Sequence, residues 1–378
     1  MPTRGVQRRR HLDEKGIRRR GSKERGFHYV TATGGAVKDS ATLERIRSLR
    51  IPPAWKEVRI ARGAESPLQA IGVDSKGRTQ YLYHPRFRRD REEEKFQRVV
   101  EFGEALPRLR RKVAADLKGT DLDRERVVAA IVRLIDQGFF RVGNDRSAKS
   151  EETYGLTTVL SRHVRVSSSD IYFDFIGKWR KNQRRKLTDP DISGLIGELR
   201  KMKGEELFKF VQNGRVVDVK DRHVNDYIQS VIGEKFTAKD FRTWAGTLLC
   251  SMHLGHQGQA GTKTERKRRI KAAIDFAASQ LGNTPAVSRA SYICPRILSE
   301  YTEGTVLPPG RTQMRGRPVA LKGLSLEEKA LLRFLRRTIA DRRNRYERRR
   351  KARGSDRRIS PAVANVSAEL EGELSRVS

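Results

Sequence analysis

The stretch LGNTPAVSRASY, residues 281–292, combines an amide, a helix start and a tyrosine. Thr284 and Pro285 suit the N-cap and first position of a helix, which places Tyr292 about two turns along it, roughly 10 Å at 1.5 Å per residue. Because helical side chains lean toward the N-terminus, the phenol oxygen is expected to point back toward Asn283. The pattern is typical either of a tyrosine nucleophile with a supporting amide or of a tyrosine that only packs.

Three basic residues occupy settings that bear on an anion site. Arg141, in FFRVGN, follows an apolar helix, where a basic side chain is most often a partner of the helix dipole. Lys178, in FIGKWRK, lies at or next to a hairpin tip, where basic residues are usually solvated. Arg242, in KDFRTW, lies in the first turns of a helix that begins near Thr237, and a cation there opposes the dipole. The placement of Arg242 therefore invites a functional reason.

The elements that must position these residues indicate an α+β fold. Short β-branched and aromatic runs with Gly and Pro turns predict a small antiparallel sheet, and later residues follow a helical period interrupted by a β-hairpin around Ile171 to Leu187. We expect a disordered basic arm at 1–26, a β-rich domain at 27–90, a mainly helical domain at 91–309 and a basic extension at 310–378 with a helix near 325–350.

Individual helices can be placed within this outline. Ser325 and Glu328 form a capping-box pattern for the helix in the extension. Apolar residues recurring at three and four positions predict the remaining helices, at 41–49, 191–211, 220–231, 237–253 and 265–281.

The charge of the chain indicates a polyanionic partner. Its 378 residues include 81 Lys and Arg against 46 Asp and Glu, a formal net charge of +35. Residues 1–25 hold ten basic and three acidic side chains and residues 310–378 hold nineteen and eight, so +17 remains on residues 26–309. The globular body is itself basic, and nucleic acid is the first candidate partner.

Other classes of site lack their sequence signatures. Cys250 and Cys294 are too few for a disulfide framework, and His253 with His256 has no second ligand pair, so no metal site is expected. The chain contains no GxxxxGK[ST] loop, signal peptide or apolar run of membrane-spanning length. We therefore expect no cofactor, no nucleotide and no membrane contact, and a cytoplasmic, nucleoid-associated protein.

Four strings in order, FFRVGN, YFDFIGK, KDFRTW and LGNTPAVSRASY, closely resemble the small type IB DNA topoisomerases of bacteria and large DNA viruses. The segment DSKGRTQYLYHPRF resembles the N-terminal domain of the same family, and the likeness covers roughly residues 27 to 305. The resemblance implies relaxation of supercoiled duplex DNA through a transient 3′-phosphotyrosyl link, without ATP or an essential metal, by a monomer that clamps double-stranded DNA.

The resemblance also implies a role for each residue. Tyr292 corresponds to the nucleophile, Lys178 to a proton donor, and Arg141 and Arg242 to the arginines that clamp the phosphate. Asn283 stands where many relatives have His and the bacterial branch commonly has Asn. Four further positions match residues that approach DNA or the active site: Gln80, Tyr81, Tyr83 and Lys239.

Two other functions remain open from the sequence. A tyrosine recombinase uses an almost identical residue set, but its second arginine typically follows a His in an HxxR box, and here Lys239 stands three residues before Arg242. A non-enzymatic basic DNA-packaging protein needs only charge and leaves the ordered motifs unexplained. The Arg-rich tails are expected to add to the electrostatic attraction for DNA, so deletion of residues 320–378 is expected to weaken DNA binding at moderate salt and to leave cleavage chemistry intact.

Overall fold

The computed structural model describes residues 4–305 and 321–338, and the chain divides into two compact units, Met1–Gln97 and Arg98–Ser378. The division falls inside one long helix, α3, Pro85–Asp116, rather than after residue 90 as the sequence suggests. The helical pattern continues across this boundary, so the sequence does not reveal it. Within the described residues, no helix has the length and apolar character needed to cross a membrane.

The first unit is an antiparallel sheet with two helices. Its five strands are arranged in the order β2-β1-β3-β4-β5. Strand alternation and one helix bring Ile17, Ile46, Val58, Ile60 and Ala70 into its core. The elements are α1 (Arg4–Lys15), β1 (Ile17–Ser22), β2 (Gly26–Val30), α2 (Ser40–Ser48), β3 (Lys56–Ile60), β4 (Leu68–Val73) and β5 (Thr79–Tyr83).

The expected disordered arm at 1–26 is wrong, because α1 and β1 lie within it. Leu12 and Ile17 are buried, so this basic segment packs through two apolar side chains. In the sequence they stand among arginines and are easily overlooked. Arg19 donates to the backbone carbonyls of Pro52 and Pro53, and its guanidinium lies 4.2 Å from the ring centroid of Phe27. The arginine run is thus an ordered part of the sheet.

The second unit is mainly helical, as predicted. Its elements after α3 are α4 (Arg124–Gly138), α5 (Asp145–Glu151), β6 (Val164–Ser167), β7 (Asp170–Gly177), β8 (Lys181–Thr188), α6 (Pro190–Leu199), β9 (Lys209–Gln212), β10 (Arg215–Asp218), α7 (Asp221–Ile232), α8 (Ala238–Gln257), α9 (Lys263–Leu281), α10 (Pro285–Ser291) and α11 (Pro295–Thr302). Strands β6, β7 and β8 form one antiparallel sheet, and β9 pairs with β10.

The hairpin is confirmed, and one helix is shorter than predicted. Strands β7 and β8 pair in register from Asp170 opposite Thr188 to Gly177 opposite Lys181. The helix predicted at 191–211 ends at Leu199, and residues 209–212 form β9 instead. Gly204, with a φ of +110°, adopts a backbone conformation that a helix does not contain.

The basic extension is partly integral to the second unit. Residues 326–338 form a helix, α12, begun by the predicted capping box, in which Ser325 and Glu328 exchange hydrogen bonds of 3.0 and 3.2 Å. Glu328 is 0% exposed and pairs with Arg110, which also pairs with Asp136. Deletion from residue 320 would remove this buried network, so the extension contributes to the fold of the second unit as well as to its charge. The expected effect of that deletion on cleavage stays a prediction. Ile339 and the later charged run lie outside the described residues.

Candidate active site

The tyrosine of the first motif lies at the end of a short helix. Thr284 caps α10 by accepting a hydrogen bond from the Val287 N–H, and Pro285 is its first residue, as predicted. The helix ends at Ser291 and Tyr292 is its C-cap, so Tyr292 lies about two turns along α10, as expected, but at the end of the helix. The Tyr292 N–H donates to the Ser288 carbonyl at 2.9 Å, which closes the last turn. Tyr292 therefore presents its phenol from a helix terminus.

Helix α8 supports the backbone of Tyr292. A methyl group added at Gly246 would lie 2.7 Å from the Tyr292 carbonyl oxygen, so only glycine permits this approach. One residue on, the Thr247 hydroxyl accepts a hydrogen bond from the Cys294 N–H at 3.0 Å and donates to the Thr243 carbonyl at 2.7 Å. The backbone from Tyr292 to Cys294 is thereby fixed to α8.

Arg242, which is also on α8, is buried beside Tyr292. It is 4% exposed, and its guanidinium carbon lies 4.9 Å from the centroid of the Tyr292 ring. Its two terminal nitrogens donate to the carbonyls of Phe139 and Leu281, the latter at 2.8 Å, while Nε has no partner among the described atoms. Burial and the nearby charge of Arg141 lower the pKa of Arg242 to about 10, so it remains a cation at neutral pH.

The electrostatic surroundings of Tyr292 favour its phenolate. Burial of the half-buried phenol raises its pKa, but the charge of Arg242, a hydrogen bond from Arg242, and the charges of Arg141 and Lys239 lower it by more. The net pKa of Tyr292 lies below its ordinary value. The surrounding cations thus stabilise the phenolate, which is the nucleophilic form of a tyrosine.

Asn283 joins the site through Arg141. The side-chain oxygen of Asn283 accepts a hydrogen bond from Arg141 Nη2. Its Nδ2 is buried without a described partner, although an amide nitrogen can donate two hydrogen bonds. Asn283 is 7% exposed, and its own N–H donates to the Ala278 carbonyl at 2.9 Å at the end of α9. The side-chain amide is therefore oriented, and its Nδ2 group can still donate a hydrogen bond.

Arg141 follows α4 on an extended strap. Phe139, the C-cap of α4, has a left-handed backbone with a φ of 57° and turns the chain out of the helix. The Arg141 carbonyl then accepts a hydrogen bond from the Leu156 N–H at 3.0 Å. The predicted position after an apolar helix is confirmed, and among the described residues no carboxylate forms an ion pair with Arg141 or Arg242. Their charge is available to an anion.

Lys178 lies at the tip of the hairpin between β7 and β8, as the sequence indicates. Trp179 and Arg180 continue the turn with φ values of 65° and 51°, both left-handed, and Trp179 is 64% exposed. Lys178 is exposed, with Nζ 5.5 Å from the Trp179 ring centroid. In the described part of the chain, no hydrogen bond joins Lys178 to Arg141, Arg242, Asn283 or Tyr292. The structure brings those four together and leaves Lys178 on the hairpin.

The remaining predicted residues fall into two groups. Lys239 is exposed in the first turn of α8, and its charge contributes to the lowered pKa of Tyr292. The others lie on β5 of the first unit, where Tyr81 and Tyr83 are exposed with ring centroids 6.1 Å apart, and Gln80 donates to Asp74 at 2.8 Å. Contact of these three with DNA stays a prediction.

Sequence reasoning missed two residues of β8 that adjoin the site. Residues 181, 183, 185 and 187 are half-buried, whereas 182, 184, 186 and 188 are exposed. Arg185 donates to the Gln280 carbonyl at 2.7 Å, and Gln183 lies close to Gly282. Successive residues of a strand point to opposite faces, so counting every second residue from Lys181 places Arg185 on the half-buried face and its neighbour Arg184 on the exposed face. This alternation is the signal that the sequence offered.

Of the two histidines with HxxH spacing, His253 has a packing role, and His256 is exposed. His253 stacks on Phe276 with ring centroids 5.1 Å apart and meets Gln257 through Nε2. No group of three or more His, Cys, Asp or Glu side chains with the geometry of a metal site occurs in residues 4–305 and 321–338.

The chemistry that this arrangement can perform is nucleophilic attack on an anionic centre. A phenol with a lowered pKa supplies the nucleophile, two uncompensated guanidiniums supply charge, and Asn283 supplies a neutral donor. Guanidinium groups fit phosphate oxygens with paired donors.

Known proteins share these segments. Residues 84–303 match the family model described as eukaryotic DNA topoisomerase I, catalytic core, and residues 26–74 match that described as bacterial DNA topoisomerase IB, N-terminal domain. The range 84–303 contains Arg141, Lys178, Arg242, Asn283 and Tyr292, whereas Gln80, Tyr81 and Tyr83 fall between the two matches.

Three individual proteins illustrate the similarity. DNA topoisomerase 1B of Acanthamoeba polyphaga mimivirus is 35% identical over 303 residues, which cover 77% of this chain and 89% of the viral protein. DNA topoisomerase 1 of Mycosarcoma maydis is 26% identical over 177 residues, 42% of this chain and 17% of the fungal protein. DNA topoisomerase I of Monkeypox virus is 23% identical over 269 residues, 69% of this chain and 82% of the viral protein.

Proposed function

The chain belongs to the type IB DNA topoisomerases, and on that premise we propose that Tyr292 is the nucleophile of its strand-cleavage reaction. Enzymes of this family relax supercoiled duplex DNA by cutting one strand transiently through a 3′-phosphotyrosyl link and resealing it. The family assignment favours this function over the recombinase and packaging alternatives. The observation that carries the residue assignment is the meeting of Arg141, Arg242, Asn283 and Tyr292 from separate segments of the chain.

In the forward step, the Tyr292 oxygen attacks the phosphorus of a backbone phosphodiester. A bond forms between this oxygen and phosphorus, and the bond from phosphorus to the 5′ oxygen breaks. The phenol loses its proton, which is easier because the neighbouring cations lower its pKa. Religation is the reverse reaction, in which the 5′ hydroxyl attacks the phosphotyrosine.

Arg141 and Arg242 stabilise the charge that develops on the non-bridging oxygens. Their carbonyl and amide partners fix the guanidinium planes before DNA binds, so little reorganisation is needed during reaction. The free Nδ2 of Asn283 donates a further hydrogen bond to one of these oxygens. The three side chains act as preorganised donors around the phosphorane-like transition state.

Lys178 is proposed to protonate the departing 5′ oxygen. An ammonium can act as a general acid when it lies within hydrogen-bond reach of the leaving atom. The hairpin places Lys178 on an exposed tip rather than within the packed cluster, so this role requires the tip to approach bound DNA. Replacement of the 5′ oxygen by sulfur, a leaving group that needs no proton, should therefore restore cleavage to Lys178→Ala.

The link to Tyr292 conserves the energy of the broken phosphodiester. The 5′ end can rotate about the intact strand before resealing, and the linking number changes without ATP. We propose in addition that the protein works as a monomer, needs no nucleotide and associates with the nucleoid through its charge of +35. Sedimentation of the protein with one short duplex measures its stoichiometry directly.

Incubation with supercoiled plasmid in EDTA and without ATP tests the proposal. The wild-type protein should convert the plasmid to a ladder of topoisomers, and Tyr292→Phe should give no relaxation while retaining DNA binding. Tyr172→Phe, which removes a phenol hydroxyl from β7 of the same unit, is the matched control and should stay active. Relaxation by Tyr292→Phe at the wild-type rate would refute the proposed nucleophile.

A further inference from the structure

The last turn of α9 is held by two arginines that reach it from different elements. Arg242 of α8 donates to the Leu281 carbonyl at 2.8 Å, and Arg185 of β8 donates to the Gln280 carbonyl at 2.7 Å. The last carbonyls of a helix have no partner within the helix, so cationic donors at this end satisfy them and favour the dipole. Asn283 follows this turn directly, after Gly282 with a φ of +63°.

Strand β8 contacts the same turn at a second place. A methyl group added at Gly282 would lie 3.2 Å from Gln183 Oε1, so the Gln183 side chain lies against the glycine that precedes Asn283. Gln183 and Arg185 both belong to the half-buried face of β8. The position of Asn283 is thus set by a strand as well as by its own helix.

Arg185 is also close to the residues that orient Arg242. Its guanidinium carbon lies 6.0 Å from the centroid of Phe139, whose carbonyl accepts a hydrogen bond from Arg242. The charge of Arg185 is one of those that lower the pKa of Arg242, which shows that the two cations interact electrostatically. Among the described contacts, no carboxylate pairs with Arg185. A half-buried cation without an acidic partner carries a desolvation cost, which its hydrogen bond to the Gln280 carbonyl offsets in part.

We propose that Arg185 is a positioning residue of the active site, which holds the C-terminal turn of α9 so that Asn283 stays oriented by Arg141 toward the scissile phosphate. The inference rests on the proposed role of Asn283. It assigns to Arg185 an effect on the cleavage step that is exerted through Asn283, not through contact with DNA. Arg184, one residue earlier, is 77% exposed and pairs with Asp174, so it provides a matched control.

A double-mutant cycle measured by single-turnover cleavage tests this role. Arg185→Ala should slow cleavage roughly 10-fold to 100-fold, as expected for a small displacement of a catalytic group. In an Asn283→Ala background the same change should cost less than about 3-fold, because the group that Arg185 positions is already absent. Arg185→Lys, whose ammonium can still donate to a carbonyl, should recover most of the rate, and Arg184→Ala should be unaffected.

Three results would overturn the proposal. One is additivity, in which Arg185→Ala slows the Asn283→Ala protein as much as it slows the wild type. Another is a loss of DNA affinity when Arg185→Ala is added to the non-cleaving Tyr292→Phe protein, if that loss equals the loss of cleavage rate. Such a result would indicate that Arg185 contacts a phosphate directly. The third is a wild-type cleavage rate for Arg185→Ala.

Two checks separate this inference from others. If circular dichroism shows that Arg185→Ala does not fold, the cycle is run with Arg185→Gln, since coupling to Asn283 is the readout and a structural role alone does not produce it. A wild-type rate for Asn283→Ala would count against the proposed function of that residue. Additivity beside a slow Asn283→Ala would count against the role of Arg185 only.

Discussion

At the scale of single residues, Asn283 is proposed to donate a hydrogen bond to the phosphate without being a titrating group. Arg141 holds its oxygen, and its buried nitrogen is free to donate. A histidine in this position can also donate a hydrogen bond, but its charge changes near neutral pH. The chain therefore has a donor whose strength does not vary over the physiological range.

Loss of this donor should be costly. Asn283→Ala is expected to slow single-turnover cleavage by about 10² to 10³, the usual effect of removing one donor from an oxyanion site. Asn283→His should retain substantial activity because its ring nitrogen replaces the amide. Rapid-quench cleavage of a short duplex measures both, and an alanine variant at the wild-type rate would reduce Asn283 to a turn residue.

The ionisation of Tyr292 gives a second prediction at this scale. The phenolate is the attacking form, so the cleavage rate should rise with pH through the pKa of Tyr292, which lies below the ordinary value of about 10. Lys239→Ala removes one charge that lowers this pKa, and the rising limb should move to higher pH.

Single-turnover rates across a pH series at constant ionic strength measure that limb. Lys235→Ala removes another exposed lysine, paired with Glu101, and should leave the limb in place. If Lys239→Ala leaves it in place as well, the charge of Lys239 does not reach the phenol.

The roles of these residues could be inferred from the motifs, but their partners could not. The hydrogen bonds from Arg242 to the carbonyls of Phe139 and Leu281 are not evident from the sequence. Phe139 lies 103 positions from Arg242 in the chain and Leu281 lies 39 positions from it. Long-range packing decides such contacts, and a single sequence does not encode it in any local pattern.

At the scale of elements, α8 is the helix that supports the backbone of Tyr292. The helix begins at the position predicted near Thr237, with a capping box that Thr237 forms with Asp240. Arg242 and Gly246 occur on its buried surface about one turn apart. The end of α10 before Tyr292 was also readable in principle. Pro295 begins α11, and the residue before a proline disfavours helical backbone, so SYICPRIL should have indicated a break.

Substitution of Gly246 tests this arrangement. Gly246→Ala places a methyl group against the Tyr292 carbonyl, and a displacement of about 1 Å can slow catalysis roughly 100-fold. Gly194→Ala in α6, where an added methyl group meets no atom within 4 Å, is the control and should leave the cleavage rate unchanged. Equal cleavage by the two variants would show that the approach of α8 does not position Tyr292.

At the scale of the whole molecule, the two-unit α+β organisation followed from the change of period along the chain. What the sequence concealed was how far the fold extends into its basic ends. At the N-terminal end, Leu12 and Ile17 are separated by arginines and lysines and were masked by composition. At the other end the capping box indicated the helix, but the complete burial of Glu328 was not evident from the sequence.

The buried network around α12 makes the extension matter for stability. Glu328→Ala should lower the free energy of unfolding by about 3 to 5 kcal/mol, because it removes a buried partner of Arg110 and the acceptor for the Trp244 indole. Arg336→Ala, also on α12, breaks an exposed ion pair with Glu104 of α3 and should cost less than about 1 kcal/mol. Urea unfolding at fixed pH measures both. Equal losses would show that α12 is not held by the buried network.

The central claim is that Tyr292 forms a covalent bond to the 3′ phosphate of a cut strand. The most direct measurement traps the cleaved complex with denaturant on a duplex whose short 5′-hydroxyl fragment dissociates, digests the protein and identifies the DNA-linked peptide by mass spectrometry. The account predicts one linked peptide, with a 3′-phosphodiester on Tyr292 and a free 5′ hydroxyl on the released strand. An adduct on another residue, or a link to a 5′ phosphate, would contradict it.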